Sequence, residues 1–97
     1  MTKDMAESSG NVFLDLGFPS EEAALLAMRS RLMIYLEKLI HERRWTQIKA
    51  AQYLGISQSR VSDLVCGKWD KFSLDMLVTL AVRAGLHPRL ELDAIAA

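Results

Sequence analysis

Thr46–Gly67, TQIKAAQYLGISQSRVSDLVCG, is the stretch whose reading decides the fold. Thr46 and Ser57 stand where a hydroxyl caps a helix, and Gly55 and Gly67 stand where a glycine ends one. They bracket two short helices, Gln47 to about Leu54 and Gln58–Val65, joined only by Gly55, Ile56 and Ser57. Spacing turns Ile48, Ala51 and Leu54 of the first helix inward, and Val61, Leu64 and Val65 of the second. Ala51 supplies the small side chain that a close helix crossing needs, Gly55 the positive φ of a tight turn, and Ile56 and Val61 a plug for the junction. A pair hinged this way holds its second helix proud of the surface, with its first turn free to enter a DNA major groove.

The polar residues of that second helix suit the role. Glutamine pairs bidentately with adenine, arginine with guanine, and serine with several base edges. Gln58, Ser59 and Ser62 are therefore candidate base contacts. Arg60 either reads a base, grips phosphate or pairs with Asp63. Gln47 can aim its amide at a phosphate and brace Gln58, and Lys49, Lys68 and Lys71 are candidate phosphate contacts. The chain as a whole has no net charge, with 12 basic and 12 acidic residues. Their placement is uneven, however: Arg43–Lys71 carries a net +4 and the remainder −4. The expectation is a basic working face on an acidic body.

The Thr46–Gly67 pattern, T-Q-x-x-A-A-x-x-L-G-I-S-Q-S-R-V-S-D-L-x-x-G, resembles the helix-turn-helix signature of the Xre/Cro phage-repressor family. That resemblance implies a lambda-repressor-like helical bundle that binds an operator as a dimer. It also implies recognition from the positions of Gln47, Gln58, Ser59 and Ser62. The flanks add to it. Gly10–Phe18 (GNVFLDLGF), the glutamates that follow, Lys71–Leu77 (KFSLDML) and the tail resemble the subgroup of HigA-like antitoxins. Those are encoded beside small ribosome-dependent ribonuclease toxins, so the resemblance implies a toxin partner as well as double-stranded DNA. It extends from residue 10 to about residue 92. Trp69 and Asp70 depart from it, and an acid there weakens phosphate attraction locally.

Working outward, Ser20 with Glu21 and Glu22 reads as a capped, acid-rich helix start. The pattern then runs to about Arg43 with a stripe of Leu25, Met28, Leu32, Leu36, Leu39 and Ile40, widened by Leu26, Met33 and Ile34. About 23 residues at 1.5 Å each reach roughly 35 Å, long for so small a domain. Part of the first half is thus expected to serve a partner, chiefly around Leu25, Leu26 and Met33. Beyond Gly67, Lys68–Phe72 reads as a loop, and Ser73 caps a further helix from Leu74 to Ala84 that Gly85 ends. Leu86–Leu92 alternates apolar and polar residues, a short strand by period that two copies could pair across a dimer. Asn11–Phe18 is a brief strand or an irregular apolar arm, and Met1–Gly10 a polar disordered lead. The expected architecture is one all-α domain over residues 11–97, with four or five helices and that terminal strand.

Other chemistry finds little support. His41 and His87 are far apart with no ligand set around them, and Glu21–Glu22 is explained by the helix dipole. The one cysteine, Cys66, has no second thiol for a disulfide or metal and reads as a small buried apolar side chain. The expectation is a protein that is not an enzyme, holds no cofactor or metal, and works in the reducing cytoplasm away from membranes. Trp45 reads as a core or boundary residue, and Trp69 and Phe72 as packing or contact residues.

Overall fold

A computed structural model describes residues 11–94. The reading of Met1–Gly10 as disordered lies outside those residues. Five α-helices and one 3-10 turn follow one another: α1 (Val12–Asp15), α2 (Ser20–Glu42), α3 (Gln47–Leu54), α4 (Gln58–Val65), the turn Trp69–Lys71, and α5 (Leu74–Arg83). The all-helical expectation holds. The terminal strand does not: among the described residues no strand forms, and Leu86–Ala94 has no regular structure. A strand is held by a ladder, and a lone segment with Pro88 in it meets no second edge among the described residues.

Hydroxyl caps set the boundaries of the three short helices. Thr46, Ser57 and Ser73 each accept the backbone N–H three residues on, from Lys49, Arg60 and Met76 at 3.1–3.2 Å. Ser20 departs from this pattern. It is already the first residue of α2, Pro19 is the cap residue, and no side chain caps that end. Proline's fixed φ, −58° here, presets the entry without needing a donor. Asn11 supplies the analogous cap for α1, its side chain accepting from Phe13 and Leu14, so the apolar arm is a helical turn. At the far end of α2, Arg44 takes φ +55° while Trp45 N–H returns to the Ile40 carbonyl, a Schellman-type close in which glycine is the usual residue.

The core gathers Leu36, Leu39 and Ile40 of α2 with Ala50 and Leu54 of α3, Val61 and Leu64 of α4, Phe72, and Leu77, Leu80, Ala81 and Ala84 around α5. Several inward assignments shift by one position. Ala50, not Ala51, is fully buried at the α3 crossing, and Ile48 is 56% exposed. On α2 the buried line is Ala23, Leu26, Met33, Leu36, Leu39 and Ile40, while Leu25 and Met28 face solvent. The expected partner surface around Leu26 and Met33 is therefore closed within the chain, and only Leu25 remains of it. Helical spacing gives α2 two apolar ridges; which one is covered depends on where α1 and α5 lie. No buried residue among those described is charged or polar.

Candidate nucleic-acid interface

Every member of the α3–α4 unit is fixed from more than one side. Leu54 is fully buried at the end of α3, and Gly55 follows with φ +71° and a backbone N–H returned to the Ala51 carbonyl at 2.8 Å. That left-handed residue lets the chain reverse before Ser57 starts α4. A side chain at Gly55 would also lie 3.1 Å from Nη1 of Arg83. The Arg83 guanidinium occupies this corner because it donates to the Leu54 carbonyl at 2.8 Å, satisfying an acceptor that the end of α3 leaves open. Arg43 acts likewise on α5, donating to the Ala84 carbonyl at 2.9 Å while its guanidinium lies 5.2 Å from the Trp45 ring centre. Trp45 in turn stacks on Tyr53 of α3, centroids 4.4 Å apart and planes 1° from parallel.

With Val61 and Leu64 buried to 0% exposure, the opposite side of α4 is presented outward. Gln58, Ser59 and Cys66 are exposed there, and Ser62 and Asp63 partly so. Ser59 Oγ lies 3.2 Å from Ser57 Oγ. Gln47 and Lys49, at the start of α3, are exposed, and so are Lys68 and Lys71 beyond α4. The chain thus places all eight sequence candidates at exposed or half-exposed positions on α3, α4 and the turn after them. No hydrogen bond joins Gln47 to Gln58 among the described residues; each amide is left to solvent.

Arg60, the eighth, is turned elsewhere. Its guanidinium lies 4.3 Å from the Phe72 ring centre, and Nη1 donates to the Lys71 carbonyl at 3.0 Å. Those contacts tie α4 to the loop that carries Lys68 and Lys71. Its alternative partner, Asp63, pairs instead with Lys68 at 3.5 Å. The aromatic residues divide too. Phe72 is core at 2% exposure, whereas Trp69 is half-buried with Phe13 of α1 edge-on at 6.1 Å.

Sequence reasoning missed two features here. Cys66 is exposed, because α4 buries only two of its positions and residue 66 falls on the far side. Arg83 and Arg43 hold the ends of other helices, at Leu54 and Ala84, and no signal nearby in sequence announces those partners. Among the described residues no three of His, Cys, Asp and Glu gather closely enough to hold a metal ion. No described helix is long and apolar enough to cross a membrane.

Two short capped helices, a left-handed glycine between them and a polar outward second helix define a helix-turn-helix protein. The comparison with family models agrees: residues 12–93 match the helix-turn-helix domain, and the chain belongs to that family, of the Xre type. Such a domain makes it a DNA-binding regulator. A comparison with curated proteins finds no match.

Proposed function

We propose that this protein is a transcriptional repressor that binds a pseudo-palindromic operator as a dimer. We further propose that it is an autoregulating antitoxin that also binds a ribonuclease toxin. The observation that carries DNA reading is the outward polar face of α4, where Gln58, Ser59 and Ser62 stand free of core contacts. In this reading those three meet base edges, while Gln47, Lys49, Lys68 and Lys71 meet phosphates and set the register. Arg60 contributes through the loop it holds, and reaches DNA only by giving up Phe72 and the Lys71 carbonyl. Asp63, by pairing with Lys68, trims the phosphate attraction that the bases of Arg43–Lys71 supply.

Two copies would set two α4 helices about one DNA turn, roughly 34 Å, apart on the operator. The antitoxin part rests on the likeness of Gly10–Phe18 and Lys71–Leu77 to that subgroup. The protein is read as cytoplasmic, with no catalytic or cofactor role.

A gel shift on the gene's own promoter tests the DNA part. The expected result is a retarded band that weakens steeply with salt and is lost in Gln58→Ala with Ser59→Ala. An unaltered shift for that variant would falsify recognition by α4. Copurification with the product of the neighbouring gene tests the toxin part. A chain that binds its promoter yet retains no such product is a stand-alone regulator, the second reading. One that retains the product and shifts no DNA at low salt is an interaction module.

A further inference from the structure

Leu25, Met28, Leu32 and Tyr35 recur along one side of α2 at steps of three, four and three, the spacing of a coiled-coil seam. Leu25, Met28 and Tyr35 are 43%, 40% and 60% exposed, and Leu32 is half-buried. Leu32 leans on the core, and the ridge is bare on either side of it, at Leu25, Met28 and Tyr35. Trp69, just before α5, borders the same hollow as Ser30 and Met33, and the end of α5 meets Arg43. The turn before α5 and the end of α5 thus lie along the second half of α2. Helix α1 packs on a different flank of the first half, where the Asn11 amide donates to the Ala23 carbonyl and Leu26 is buried. Neither covers Leu25 or Met28.

Charge along α2 says what fits there. Its first turn carries Glu21 and Glu22 and no base; Arg29, Arg31 and Lys38 then border the ridge. None of Glu21, Glu22, Arg29 and Arg31 has an ionic partner among the described residues, and the Nε of Arg29 is buried without a hydrogen bond. A second α2 laid parallel would set acid on acid and base on base. Laid antiparallel, it sets Glu21 and Glu22 beside the partner's Arg29 and the partner's Arg31, twice by symmetry, and opposes the helix dipoles. Leu25 then faces the partner's Met28. We propose that this ridge is the surface through which two copies of the chain pair, antiparallel and back to back along α2. The proposal rests on the dimeric part of the reading above and names its contact.

Sedimentation of the full chain tests it. Leu25→Asp with Met28→Asp, both exposed positions, is expected to weaken self-association at least about tenfold while circular dichroism keeps the helical signal. Glu21→Lys with Glu22→Lys, and separately Arg29→Glu with Arg31→Glu, should each fail to pair with themselves. Mixed together, they should pair with one another, seen by native mass spectrometry as a species of intermediate mass. The idea is overturned if the wild type stays monomeric at its solubility limit, or if these variants pair as it does. It is equally overturned if only Leu90→Asp with Leu92→Asp dissolves the dimer. Binding to a half-site duplex, which needs one α4 alone, scores the DNA reading separately: loss of pairing with half-site binding intact supports the ridge. Wild-type failure on the half-site sinks the DNA reading and leaves the ridge standing.

Discussion

Helices α3 and α4 are close to twins. Each has eight residues, a hydroxyl cap and two fully buried side chains, Ala50 and Leu54 in one, Val61 and Leu64 in the other. Their outward faces differ. Helix α3 shows Ile48 and Tyr53 alongside Gln47, Lys49 and Gln52, with Tyr53 engaged by Trp45; α4 shows Gln58, Ser59, Ser62, Asp63 and Cys66. Two anchors and a cap suffice to fix a helix this short, so the remaining positions are free to carry something besides the fold. In α3 that freedom goes into bracing, through the Trp45–Tyr53 stack and the Arg83 contact at its end. In α4 Arg60 is used that way, on Phe72 and the Lys71 carbonyl, while Gln58, Ser59 and Ser62 are left to solvent. That difference is what favours α4 over α3 as the reading helix of the proposed function.

The comparison breaks most severely at a shared anchor. Leu64→Ala empties a fully buried site and should cost about 3 kcal/mol, read as a lowered midpoint in urea unfolding, with DNA binding lost alongside stability. Gln58→Ala should do the reverse, weakening operator binding by about 1–3 kcal/mol in fluorescence anisotropy with an unchanged unfolding midpoint. If Gln52→Ala on α3 weakened binding as much, the division of labour argued above would fail. Gly55→Ala strains the φ +71° hinge and crowds Arg83, a loss of about 1–2 kcal/mol that calorimetry would register as a lower Tm. Thr46→Ala and Ser57→Ala should each cost about 1 kcal/mol, since their cap bonds match within 0.1 Å; a large inequality would show that the twins are not held alike. The smallest expected change is a gain. Arg44→Gly relieves the φ +55° residue and should raise stability by about 0.5–1 kcal/mol.

Legibility followed the range of the interaction. Thr46, Ser57 and Ser73 were readable because a cap bond spans three residues, and Gly55 because a left-handed hinge is a property of one. Ser20 misled because the proline before it presets the same helix start without a hydroxyl bond. Ile48 and Ala51 were assigned inward by spacing that fits a line one position away, and only the crossing of the helices chose Ala50. For Arg60 the sequence offers a base, a phosphate or Asp63, because nothing nearby in sequence announces Phe72 and the Lys71 carbonyl as its partners.

The sequence alone determined that this protein is a run of helices, three of them short and hydroxyl-capped, around a glycine hinge, with a basic middle segment in a neutral chain. Caps, hinge and charge are carried by residues within a turn of one another, so they survive without knowledge of the rest. Tertiary structure alone decided which ridge of α2 is buried, which arginines are spent on helix ends, and that the tail has no edge to pair with among the described residues. Those outcomes depend on where α1 and α5 come to lie, and the positions of packed helices are set by the whole core at once.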